Sequence, residues 1–305
     1  MDYQEIRYGP AEGAGPQVVQ VTLDRPAALN AYTSRMCEEL NDALLRYARD
    51  EDARVLVLTG AGRAFCAGGD VASQVEVEEA GCRQLGHGVV MRERMHLLAQ
   101  SLYRMDKPLI AMINGPAVAG GLTLALLCDL RVAAWSARLG DTSGRAGLLP
   151  DEGGAWLFPR VMGIAAATRM TLLSELYDAS TAQQHGLVSE VVPDEQLRDR
   201  TMHLADELAA RAPLAVRMAK RMMRRSLELT FEQSLGDAEN AVNIINDSED
   251  VQEGVAAFLE SAHPCSGGAE MPPPAAGAHV RLEALCYWSG MSCPGPRSSS
   301  GRGPK

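Results

Sequence analysis

The sequence predicts an α/β protein of 305 residues with a helical C-terminal region. Three observations carry this prediction. Short β-branched or continuous apolar runs alternate with helical-period segments up to about residue 134, glycine-rich turns follow two of those runs, and from about Ala165 the pattern is mainly helical. Strands that alternate with helices imply right-handed parallel crossovers.

Along the chain, Val18–Leu23 reads as a strand that stops at Asp24-Arg25-Pro26, where proline punctuates it. Thr33 or Ser34 caps a helix to about Arg49, with Met36, Leu40, Ala43, Leu44 and Tyr47 at helical spacing. Residues 54–58 form an apolar run of the kind buried on both faces of a parallel sheet. A helical segment around 95–105 leads into a strand at Leu109–Ile113, and a fourth strand follows at Leu130–Ala134. After a strand-like stretch at 187–192, helices are expected near 195–211, 213–226, 231–246 and 249–261, the last capped by Ser248. Amphipathic helices with no core of their own pack on a partner subunit or back on the sheet. The expected division is a core at 1–194, a helical region at 195–262 and a tail at 263–305. That tail holds 7 of the 16 prolines and 7 of the 29 glycines, which marks it as disordered.

Lys and Arg total 29 against 39 Asp and Glu, a formal charge of −10, so long-range electrostatics repel nucleic acid and anionic membrane surfaces. Neither is an expected partner. The N-terminal MDYQEIRYGP lacks the basic-then-apolar pattern of a signal peptide, and no apolar run reaches the roughly 20 residues of a membrane span. A soluble, cytoplasmic protein is expected. Seven scattered cysteines, with no CxxC pair and no His at ligand spacing, support neither a disulfide framework nor a metal site.

Two segments are placed to do chemistry: AFCAGGD (64–70) and NGPAVAGGLTLALLCD (114–129). Each puts small residues where a parallel strand ends, the place where α/β sheets bind ligands. Glycine there lets the backbone approach a ligand, and a helix start leaves free N–H groups with partial positive charge. Neither segment fits GxGxxG or GxxxxGK[ST], so a dinucleotide or phosphate loop is disfavoured. Packing and turn glycines remain the alternative reading.

LDRPAALNA (23–31), VLVLTGAGRAFCAGGD (55–70), KPLIAMINGPAVAGG (107–121), GLLPDEGGAWLFPRVMG (147–163) and AQQHGLVSEVVP (182–193) occur in the order and spacing of one family. Residues 2–262 thereby resemble the enoyl-CoA hydratase/isomerase, or crotonase, superfamily. The resemblance implies a ββα spiral core, a C-terminal helical trimerisation region giving a homotrimer or homohexamer, and catalysis on acyl-CoA thioesters. By motif, the N–H groups of Gly69 and Gly120 would form the oxyanion hole. Coenzyme A, present only as part of the substrate and with no permanently bound cofactor, would lie along Ala28, Ala67, Gly69 and Asp70. Arg25, Arg63 and Lys107 are nearby cations that could face its phosphates or be solvated surface charges.

Hydratases of the family use two glutamates, at positions that read Thr123 and Ser143 here. A hydroxyl is not a carboxylate-like base near neutral pH, which argues against efficient hydration of a simple enoyl-CoA. The ring-opening and double-bond isomerases of phenylacetate catabolism resemble the LLPDEGG stretch closely, which implies Asp151 as the single base of an enoyl-CoA isomerase. Pro-Asp before Gly-Gly is also a turn and cap signature. Glu152 is a second carboxylate candidate, or a first-turn dipole partner. Asp141 is a displaced acid or a residue bonding its own loop. Cys66 has no assigned His partner, and His87 and His96 sit on different helical faces. The alternatives are a hydratase or acyl-CoA hydrolase using Asp151 or Glu152, and a non-catalytic acyl-CoA-binding protein.

Overall fold

The framework is a parallel sheet buried on both faces. The computed structural model describes residues 2–70 and 86–261. Strands β1 (Ile6–Pro10), β2 (Val18–Leu23), β3 (Val55–Gly60), β4 (Leu109–Ile113), β6 (Leu130–Ala134) and β9 (Glu190–Val192) lie side by side in that order. Only β1 runs antiparallel, and the register pairs Val18 with Val55 and Leu56 with Leu109. A smaller sheet joins β5 (Ala117–Val118), β7 (Arg138–Gly140) and β8 (Tyr177–Asp178). Every residue of β3 and β4 is buried, as their unbroken apolar runs require.

Helix α1 (Ser34–Arg49) packs Met36, Leu40, Leu44 and Tyr47 onto one face, and its cap is Thr33, whose side chain accepts from Met36 N. The same layer contains α2 (His87–Glu93), α3 (Met95–Arg104), α4 (Gly120–Leu127), α5 (Gly154–Met162), α6 (Ile164–Leu173) and α7 (Ala179–Gln184). The opposite face is closed by α8 (Leu197–Ala209), whose Leu197, Met202, Ala205 and Ala209 meet Val55, Val57, Ile110 and Val132. The helices α9 (Pro213–Ser226), α10 (Phe231–Asn246) and α11 (Glu249–Ser261) follow, and Ser248 accepts from Val251 N at 3.4 Å.

Several elements differ from the sequence expectation. Strand β1 was hidden by its Gly and Pro, which an edge strand tolerates, and β5, β7 and β8 are too short to show a period. The expected strand at 187–192 shrinks to β9, because Leu187 and Val188 enter the core from a turn. The chain divides into two compact units, Met1–Val255 and Ala256–Lys305. Of the second unit only 256–261 are described, and the predicted tail at 263–305 lies outside the described residues. Cys82 also lies outside the described residues, as does the side chain of His87. Among the described residues, no helix is long and apolar enough to cross a membrane.

Charged side chains pin α9 to this core. Asp129 accepts from Lys220 Nζ at 2.6 Å, from Arg224 at 2.8 Å and from the Leu109 backbone N–H at 2.8 Å. Arg224 also donates to the carbonyls of Leu102 and Leu127, at the C-terminal ends of α3 and α4. Removing one partner of a largely buried pair strands the other charge. Asp129→Ala should therefore lower unfolding stability by about 3 kcal/mol, read as a reduced urea midpoint; an unchanged midpoint would show that the cluster carries no net stability.

Candidate active site

The C-terminal ends of β2, β3 and β4 deliver three loops to one place. The first turns at Leu29 and Asn30, both in left-handed backbone with φ of 52° and 56°. Asn30 is fully buried; its side chain accepts from Arg25 N at 2.9 Å and donates to Ala61 O at 2.9 Å and Ala64 O at 2.8 Å. One amide thus locks the first loop to the second.

The second loop, 64–70, is held on both sides by backbone. Phe65 N donates to Pro116 O at 3.0 Å and Val118 N to Cys66 O at 3.1 Å, while Tyr32 N donates to Gly68 O at 2.8 Å and Asp70 N to Tyr32 O at 2.9 Å. In parallel pairing, the residue between two such bonds turns its own N–H away from the partner. Gly69 is that residue. Its N–H has no acceptor among the described residues.

The third loop enters α4 through Ala119, at φ 50° and ψ −126°, a conformation L-residues rarely adopt. Ala119 N donates to Gly140 O at 3.0 Å, and its carbonyl accepts from Leu122 N at 3.0 Å. This leaves Gly120 as the first residue of α4, with an N–H that also lacks an acceptor among the described residues. A Cβ on Gly121 would fall 2.1 Å from Cys66 O, so only glycine permits this contact. A Cβ on Gly68 would lie 3.5 Å from Gly120 N, which places the two free N–H groups on touching loops.

The residue facing this junction is Glu152. It is buried before α5, and its Oε1 accepts from the Tyr32 hydroxyl at 2.6 Å. A Cβ on Gly120 would come within 2.5 Å of Glu152 Oε1 and 2.7 Å of the Tyr32 hydroxyl. Glu152 Oε2, Thr123 Oγ1 and Asp141 Oδ2 are buried and have no partner among the described residues. Burial pushes the Glu152 carboxyl above its ordinary value; the Tyr32 hydrogen bond opposes this, and the charges of Asp151 and Asp141 add to it. A cavity of about 460 Å³ opens beside Glu152, lined by Ala99, Tyr103, Leu127, Trp156 and Leu157. Tyr103 and Trp156 meet edge to face there, with ring centroids 5.6 Å apart.

The other sequence candidates are placed as follows. Asp151 is exposed on the same turn; its carbonyl lies 2.8 Å from His96 Nε2, and its side chain does not cap α5, whose N-cap is Gly153. Asp141 bonds its own loop through Ser143 N to Oδ1 at 3.1 Å, with Ser143 buried beside it. Cys66 is fully buried and its thiol is pushed up to about 12, which makes it a packing residue and no nucleophile. Ala28 ends a short turn, Pro26–Ala28, and Ala67 N donates to Leu29 O at 3.0 Å, so both border the second loop. Arg25 bonds Asp70 at 2.7 Å and Ala31 O, on the same rim. Arg63 is exposed. The expectation that Lys107 faces a phosphate is corrected: it is buried, donating to the carbonyls of Tyr47 in α1 and of Ala53 before β3. Tyr32 was not among the candidates, because a tyrosine after Asn-Ala carries no local signal of a carboxylate distant in sequence.

A family model for enoyl-CoA hydratase/isomerase matches residues 13–267. The chain belongs to that family. This crotonase-fold, acyl-CoA enzyme is 36% identical to 1,2-epoxyphenylacetyl-CoA isomerase of Escherichia coli, over 81% of this chain and 94% of the relative. It is 35% identical to 2,3-dehydroadipyl-CoA hydratase of the same organism, over 81% and 94%. Among solved structures, the enoyl-CoA hydratase of Bacillus anthracis superposes with a TM-score of 0.78 at 32% identity, covering 85% of this chain and 97% of that one.

A carboxyl whose pKa is raised by folding contributes least to stability when ionised. Its penalty is absent below the ordinary glutamate value of about 4.3 and grows as pH rises through the elevated folded value. Glu152→Gln should therefore match the parent in stability near pH 4 and exceed it as pH rises, the gain levelling off once the parent carboxyl is ionised in the folded state, as followed by thermal melting. Parallel curves would contradict the raised carboxyl.

Proposed function

We propose that the enzyme isomerises an enoyl-CoA thioester by moving a double bond, with Glu152 as the single proton carrier. The observation that supports this most is the contact of the Glu152 carboxyl with Gly120, one oxygen bonded to Tyr32 and the other without a partner among the described residues. The thioester oxygen of a 3-enoyl-CoA would accept from Gly69 N–H and Gly120 N–H, at the N-terminus of α4. Glu152 Oε2 takes the α-proton, the electron pair enters the conjugated dienolate, and the carboxyl, whose proton exchanges with solvent, protonates the γ-carbon to give the 2-enoyl-CoA. Each preorganised donor contributes about 3 kcal/mol to holding the developing charge, and burial makes the carboxylate a stronger base.

A single base suffices because no water has to be oriented. This assigns to Glu152 the role the sequence suggested for Asp151, whose exposed position leaves it on the outside of the turn. Coenzyme A would run over the rim formed by Ala28, Ala67, Gly69 and Asp70, with Arg25 bracing Asp70, and no other cofactor is required. Exposed Met223, Leu227, Phe231 and Ile244 on or beside α9 and α10 support self-association as a trimer or a dimer of trimers.

A second reading is favoured by the unpartnered Asp141 Oδ2. Two carboxylates, Glu152 and Asp141, would hold and activate water for hydration. The readings separate in deuterated water with a 3-enoyl-CoA and a 2-enoyl-CoA followed by mass spectrometry. Isomerisation gives double-bond migration with α- or γ-deuterium and no hydroxyacyl product, whereas a 3-hydroxyacyl-CoA establishes hydration. Glu152→Gln should lower kcat by about 10²–10⁴-fold, with Asp151→Asn retaining most of the rate; the reverse order would return the role to Asp151.

A further inference from the structure

We propose that Tyr32 is a positioning residue that holds the Glu152 carboxyl against the oxyanion donors and selects Oε2 as its working oxygen. The inference rests on the reading of Glu152 as proton carrier. Tyr32 is 3% exposed, and its hydroxyl donates to Glu152 Oε1 at 2.6 Å across 120 residues of sequence. Its backbone pairs on both sides of Gly69, through Gly68 O and Asp70 N. One residue therefore sets the second loop with its main chain and the carboxylate with its side chain.

The chemistry of the contact determines its consequence. A phenol at ordinary pH has one proton to give, and a carboxylate only accepts. With Oε1 engaged, the side chain loses rotational freedom and the unpartnered Oε2 is left to accept the substrate proton. The bond favours the ionised carboxylate, against burial. The titratable groups facing the pair are Asp151 on the turn, Asp141 after β7 and Cys66 in the second loop, with Cys37 of α1 beside Tyr32. None of these offers a cation to replace the tyrosine. A hydrogen bond to a charged group of about 1.5–3 kcal/mol corresponds to roughly 10- to 100-fold in rate or protonation equilibrium.

The test uses full-length protein carrying ¹³C-labelled glutamate carboxyls, with Glu152→Gln identifying the Glu152 resonance. In Tyr32→Phe the Glu152 carboxyl should titrate at higher pH, the acid limb of kcat should move up with it, and kcat at neutral pH should fall by about 10- to 100-fold with KM for the enoyl-CoA unchanged. Incorporating 3-fluorotyrosine at position 32, which keeps the shape and supplies a more acidic hydroxyl, should move the titration down. Unmoved titration in both proteins, or a change confined to KM or melting temperature, would overturn the proposal. The carboxyl titration is independent of turnover: if Glu152→Gln keeps full activity the reading of Glu152 as proton carrier fails, and the resonance still decides whether Tyr32 governs Glu152.

Discussion

Contact between two backbones is the constraint on which this site depends. The loop at 64–70 lies between residue 32 on one side and residues 116–121 on the other, close enough that a single Cβ at Gly121 would strike the Cys66 carbonyl. Parallel strands supply the direction, since their C-terminal ends place the loops together. Asn30 supplies the lock, and Ala119 absorbs the cost in a backbone conformation that favours glycine. The result is a pair of N–H groups held open by interactions that have nothing to do with substrate. Such preorganisation means that little rearrangement is needed as charge develops on a bound thioester.

Placing a carboxyl beside that pair is unfavourable for stability and favourable for proton transfer. The oxygens of Glu152, Asp141 and Thr123 that lack partners among the described residues lie on the elements that frame Gly120. Buried polar atoms of this kind are uncommon in a finished core. Under the proposed function a bound substrate would complete their hydrogen bonding. Away from the site, Asn41 Oδ1 of α1 also lacks a partner among the described residues, but the buried or half-buried cations Lys107, Lys220 and Arg224 are each bonded to carbonyls or to Asp129.

Much of this was legible in the sequence. The strands at Val18–Leu23 and Leu109–Ile113 followed from apolar runs and proline stops, and α1 from its cap and its buried face. Motif order singled out the glycines at 69 and 120, and the structure puts them on touching loops. What was not legible depends on three-dimensional closure. Asp151 and Glu152 are adjacent on one turn, and which of them points inward is set by the residues around Gly120 and Tyr32, which sequence spacing does not encode. Lys107 reads as a surface cation because the carbonyls it satisfies are more than fifty residues away in sequence. Edge strand β1 carries Gly and Pro that local propensity counts against it.

Under the proposed function, Gly69 and Gly120 together polarise a bound thioester carbonyl. Isotope-edited infrared spectroscopy of a [1-¹³C]acyl-CoA bound to the enzyme tests it most directly, because the carbonyl stretch reports hydrogen bonding to that oxygen before any chemistry occurs. A stretch shifted to lower frequency than in free acyl-CoA, and still shifted in Glu152→Gln, is the expected result. A carbonyl that binds with an unshifted stretch would contradict the oxyanion hole and leave the two loops a structural junction only.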